Sequence, residues 1–127
     1  MPATLQEFVE GRIDPRDFHH WQHVQISYEL LERHNFPEAL HHLARGLRHL
    51  AVKGGKPEAY HETITTAFLA LIAERRLRES YTDLGDFAAR NPDLFRKGAL
   101  EEYYEPGALQ SPLARQTFVL PRRSLGG

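Results

Sequence analysis

The chain of 127 residues contains no cysteine. Disulfides, thiolate zinc sites, iron–sulfur clusters and cysteine nucleophiles are therefore excluded, and any metal must be held by His, Asp, Glu or Tyr. An excess of charge is missing too. The formal net charge of −1 argues against a nucleic-acid partner, because such binders carry a strong basic excess or stripe. The Arg-Arg pairs at 75–76 and 122–123 are too short to form one. No apolar run approaches the roughly 20 residues that cross a bilayer, so no membrane partner is expected. The stretch MPATLQEFVEGRID lacks an apolar core of signal-peptide length, which makes a cytoplasmic location the expectation. Valine is scarce, and no Asn-Gly or Asp-Gly hairpin signal occurs. Ser27 and Ser80 have no elbow-like glycine context, so hydrolysis through a covalent serine intermediate is not expected.

What is present has a helical period. A short helix is predicted over 4–10, closed by Gly11. Asp14-Pro15 reads as a cap followed by a first-turn proline, opening a helix over 16–34. After Asn35-Phe36-Pro37 a second long helix runs to Val52 and stops at Lys53-Gly54-Gly55. Pro57 begins a third, reaching Glu79. A fourth helical region starts at Asp83, breaks at Asn91-Pro92 and resumes to Tyr104. Beyond Pro106 only one turn, over 112–116, is expected. Short connections favour antiparallel neighbours. The expectation is an all-α protein: a compact antiparallel bundle of about four main helices, one domain over 1–121, with an irregular C-terminal segment and a flexible tail at 122–127.

Eight histidines stand out, and helical rotation sorts them. On the first long helix His20, His23, Ser27 and His34 share the arc of Val24, Leu30 and Leu31, with His19 at its margin. On the second, His41, His42 and His49 lie opposite the apolar stripe of Leu40, Leu43, Leu47 and Leu50, which makes them solvated surface groups. On the third, His61 projects with Ile64 and Phe68, flanked by Glu58, Glu62 and Thr65, with Tyr60 adjacent. Antiparallel packing sets the starts of the first and third long helices at one end, bringing His20 and His23 level with His61 and Glu62.

His20 and His23, at i and i+3, can approach one point. With His61 and the Glu62 carboxylate they make a reasonable shell for a divalent transition metal ion, Fe, Mn, Zn or Cu. Glu62 is then the fourth ligand or a general base, and Glu62 and Tyr60 are the candidate catalytic groups. This points to a metal-dependent enzyme acting on a small-molecule substrate. The same residues allow three other uses. His61 with Glu62, or His23 with a nearby carboxylate, can act as a metal-free acid/base couple. Glu58-Ala59-Tyr60-His61 spells the E-x-x-H of di-iron bundles, but the second copy and the further inward glutamates are missing. The strongest rival is a non-enzymatic helical module that binds a ligand or forms a homodimer, its buried histidines being structural. The residues leave open whether the chain is an enzyme.

Two further features concern the second half. Tyr103 and Tyr104 are expected to anchor a C-terminal segment that folds back on the bundle; the alternative has a tyrosine or Arg115 closing the site on an anionic substrate. Arg75 falls on the inner face of the third helix and needs a buried acid as partner.

Together HxxHV at 20–24, YHETIT at 60–65 and YYxPxxLxSPxAR at 103–115 resemble a family of small, uncharacterised bacterial all-α proteins. The resemblance runs from about Phe18 to Pro121, with the three motifs in the same order. It implies that His20, His23, His61 and Glu62 belong to recurrent motifs whereas His41, His42 and His49 do not. It lends no reaction, substrate or cofactor.

Overall fold

The computed structural model describes residues 4–96 and 98–121; the tail expected at 122–127 lies outside them. The described residues are all-α, without a strand. Helix α1 spans Leu5–Val9, α2 His20–Arg33, α3 Phe36–Lys53, α4 Glu62–Arg78, α5 Leu84–Arg90 and α6 Pro112–Gln116. Short 3-10 turns fill the connections, at Pro15–Asp17, Pro57–Ala59, Pro92–Phe95, Glu101–Tyr103 and Ala108–Gln110. None of these helices is long and apolar enough to cross a membrane.

Local chemistry sets the boundaries. Thr4 and Glu7 form a reciprocal capping box on α1. Asn35 accepts the Glu38 N–H at 3.1 Å to start α3, and Gly54 closes it. Asp83 and Ser111 cap α5 and α6 in the same way. Both Pro15 and Pro57 make only a single 3-10 turn before the chain extends again, so α2 begins at His20 and α4 at Glu62. The fourth helical region is shorter than the sequence pattern suggests. Asn91 ends α5: its side-chain amide donates to Phe87 O at 2.9 Å and its Oδ1 accepts from Arg75 at 3.1 Å. Pro92 follows with no N–H to continue the ladder.

Only His34 and Asn35 separate α2 from α3, which makes them antiparallel. Helices α2 and α4 run the same way. Their starts meet where His20 and His23 pack on the Phe68 ring. Their ends meet where Arg76 donates to Leu31 O at 3.2 Å and stacks over Tyr28.

The core has two parts with α2 and α4 as the shared wall. Leu5, Phe8, Ile26, Leu30, Leu43 and Leu69 fill one side. Val24, Tyr28, Phe68, Ile72, Phe87 and Leu109 fill the other, and Leu31 packs against both. The expected partner for Arg75 is Asp93, held in a bidentate pair with both N···O distances 2.7 Å. It pins α4 to the turn after α5.

Candidate functional site

The first turn of α2 carries His20 and His23 with ring centroids 6.4 Å apart, nearly edge-on. His20 Nε2 lies 2.9 Å from Leu94 O. A carbonyl only accepts, so this nitrogen carries the hydrogen and donates it. His23 has no such anchor. The residue as a whole is half-buried, yet its Nε2 is shielded from solvent and has no hydrogen-bond partner. Burial, with a smaller push from His20, pulls the His23 pKa down to about 4. The ring is therefore neutral at ordinary pH.

His61 occupies a different place from the one the helical pattern assigns. It is the N-cap of α4 rather than a member of its inner face, with an extended backbone. Its Nδ1 accepts the Ile64 N–H at 3.0 Å and its Nε2 donates to Leu109 O at 2.6 Å. The two bonds define the neutral Nε2–H tautomer and use both ring nitrogens. Histidine is not a standard cap residue, so the sequence carries no signal for this role.

The rest of YHETIT ties the same turn to the C-terminal segment. Thr63 is fully buried; its Oγ1 donates to Thr117 O at 2.7 Å and accepts the Val119 N–H at 3.0 Å. Tyr104 donates to Val119 O at 2.9 Å, and Arg115 to Glu58 O at 2.9 Å. The two later motifs of the chain are thus physical partners, and Tyr104 anchors the segment as expected.

Glu62 turns outward. Its carboxylate pairs with Arg48 of α3 at 2.9 Å, and the Arg48 guanidinium lies 4.7 Å from the centre of the Tyr60 ring. The Tyr60 hydroxyl is buried within hydrogen-bonding reach of the Thr65 and Glu62 side chains. Desolvation, reinforced by Glu62, pushes its pKa up to about 12. It too is neutral.

These residues border a cavity of about 430 Å³ between the starts of α2 and α4 and the end of α3. His19, His20, His23, Tyr60, His61 and Thr65 supply its polar lining, and residues such as Phe18, Leu47, Leu50 and Ile64 the apolar part. A smaller cavity of about 190 Å³ lies against the other side of His20, His23 and Ile64, bounded by Phe68, Leu100 and Leu109. A larger recess, about 510 Å³, opens in the C-terminal segment around Tyr104, Pro106 and Gln110, and no histidine lines it.

Of the four expected metal ligands, His20, His23 and His61 meet at one cavity, whereas Glu62 is absent from its lining. Among the described residues no group of three or more His, Asp or Glu is arranged to hold a metal ion. The physical reason is the commitment of His61 to its cap and of Glu62 to Arg48. His34 also departs from its expected inward place: it follows the last turn of α2, 3.6 Å from Glu38 and with its ring tilted against that of His42. His41 and His49 are exposed as expected.

No protein-family model, curated protein or solved structure matches this chain. The cavity brings imidazole, phenol and hydroxyl side chains together beside an apolar wall. Such a lining can bind and orient a small molecule.

Proposed function

We propose that this chain is a helical small-molecule-binding module whose site is the cavity bordered by His23 and Tyr60. One observation carries the reading: the side chains of His19, His20, His23, Tyr60, His61 and Thr65 meet Phe18, Leu47, Leu50 and Ile64 around one cavity of about 430 Å³. A concave, mostly apolar lining with a few convergent polar groups is the usual form of a small-molecule site. A cytoplasmic setting without nucleic-acid partners goes with this reading, supported by the net charge of −1 and the absence of cysteine.

The rival is the metal-dependent enzyme with His20, His23, His61 and Glu62 as ligands. It is favoured by the convergence of three histidines on the cavity. It requires His61 to release Ile64 N–H or Leu109 O, and Glu62 to leave Arg48.

Elemental analysis of untagged protein, with thermal melts in added Fe, Mn, Zn or Cu, separates the two. The binding-module reading expects substoichiometric metal and an unmoved melting temperature. Near-stoichiometric metal that disappears in His20→Ala and in His61→Ala, with the fold retained, would overturn it in favour of the metalloenzyme.

A further inference from the structure

We propose that the exposed ridge of α4 is a homodimer interface, on which Leu77 of each copy fills an apolar groove of the other. This face shares no residue with the cavity bordered by His23.

Ala70, Glu74 and Leu77 recur at i, i+4 and i+7, so they stand on one side of α4, and all three are exposed. Leu77, at 86%, is the most exposed large apolar residue among those described. Alone it would need no explanation. Beside it, however, lies a groove of about 160 Å³, lined by Ala67, Ala70, Leu71 and Glu74 of α4 and by the C-terminal segment, including Tyr103 and Phe118. An apolar space on the order of 150 Å³ takes one group the size of a benzene ring, and a leucine side chain is no larger. Leu77 cannot enter the groove of its own chain, because it stands about 9 Å further along the helix than Leu71.

A second copy removes that obstacle. A knob and a hole on one face are what a twofold pairing requires, since each copy then offers its knob to the other's hole. When α4 packs antiparallel on its copy with the axis beside Glu74, Leu77 comes opposite the partner's Leu71.

The charges agree with self-pairing. Arg78 and Glu74 form an exposed i, i+4 pair at 2.9 Å, and Glu74 is the only charged residue in the groove lining among those described. At the axis the two Glu74 carboxylates approach each other, with an Arg78 one turn away on either side to neutralise them. A ridge with one charge of each sign matches itself and gives a strongly charged partner no field to follow. The net charge of −1 also leaves little long-range repulsion between copies. The apolar centre is modest, so the dimer is expected to be reversible rather than obligate.

Sedimentation velocity on the full chain tests this from about 10 µM to about 1 mM, the range of weak reversible association. The mass should climb from 14.6 kDa toward twice that value. Leu77→Gln changes only an exposed side chain; it should weaken association about tenfold or more and leave the melting temperature of dilute protein unchanged. Glu74→Arg and Arg78→Glu should each weaken association too, because like charges then meet at the axis. Mixing those two variants should restore a heterodimer of near-parent affinity, which pairing within one chain cannot do. A chain that stays monomeric throughout would overturn the proposal and leave the groove to another occupant, such as residues 122–127 of the same chain. So would a dimer that Leu77→Gln leaves untouched, or charge variants that do not recover on mixing.

Discussion

His61 illustrates how much one side chain can hold. Its Nδ1 caps α4 and its Nε2 donates to Leu109, so His61→Ala loses an N-cap and leaves a buried carbonyl unpaired. The first is worth about 1 kcal/mol and the second about 1–3 kcal/mol. A loss of roughly 2–4 kcal/mol is expected in urea unfolding. His61→Asn should recover about 1 kcal/mol of it, because asparagine caps well but is too short to take both partners. Equal losses in the two variants would show that the cap contributes nothing. A second prediction at this scale concerns acid. The His23 pKa drops from 6.5 to about 4 on folding, so between those values the unfolded chain binds a proton that the folded chain refuses. Stability should therefore fall as pH decreases through that window, by up to about 3 kcal/mol, and be unaffected above it. His23→Phe should flatten this part of the profile, measured as the difference from the parent so that carboxylate titration at lower pH cancels. An unchanged slope would mean that His23 titrates normally. At this scale the sequence was partly legible. Helical rotation correctly separated His20 and His23 from His41 and His49, because periodicity reports which way a helical side chain faces. It could not find the carbonyls of Leu94 and Leu109, since a backbone partner leaves no mark in residue type.

Among the elements, α3 was read to within a residue at each end, because Asn35, Pro37 and Gly54 are strong local punctuation. The start of α4 was misplaced. Pro57 does open a helical turn, but only a 3-10 one, and the true cap is a histidine. Five residues of displacement, from Pro57 to Glu62, were enough to move His61 off the inner face on which the metal expectation depended. The contracted fourth region has a tertiary cause as well: Arg75 draws both Asn91 and Asp93 toward α4, and a 3-10 turn accommodates this where a continued helix would not. A glycine inside α3 supplies the prediction here. Gly46 is buried mid-helix, and a Cβ built on it would stand 2.2 Å from the Phe8 ring. Alanine is ordinarily favoured over glycine in a helix by about 1 kcal/mol. In Gly46→Ala the overlap should win, because Phe8 is only 2% exposed and its ring has little room to withdraw. A net destabilisation of about 1–3 kcal/mol is expected. Pairing it with Phe8→Leu should relieve part of that loss, which a calorimetric double-mutant cycle would read as favourable coupling. Additive losses would place the clash elsewhere.

The whole molecule is two apolar clusters sharing α2 and α4 as their wall, and they are closed by different means. The first is enclosed by regular helices, α1 and α3, whose amphipathic stripes announce it in the sequence. The second is covered by α5 and a largely irregular segment over 98–121, in which Leu100, Tyr104, Leu109 and Ala114 are buried. No periodicity marks most of such a segment, so only its anchoring tyrosine and the turn over 112–116, observed as α6, could be anticipated. Its attachment is polar and specific. Thr63, at 0% exposure, takes a hydrogen bond from Val119 N–H and gives one to Thr117 O, while Tyr104 holds Val119 O. The isosteric change Thr63→Val keeps the packing and deletes both Thr63 bonds. Thr117 is exposed and Val119 half-buried, so both can turn to water, and the cost should stay near 1–2 kcal/mol rather than reach a full desolvation penalty. The consequence should be local. Hydrogen exchange is expected to accelerate at 117–120 and at the Leu109 turn, with α3 unchanged, because the first cluster does not depend on this segment. The same loosening should weaken ligand binding at the His23 cavity, since Leu109 also holds His61 in its wall. If exchange rises uniformly across both clusters instead, the segment is part of a single cooperative unit, and the division into two separately closed halves fails.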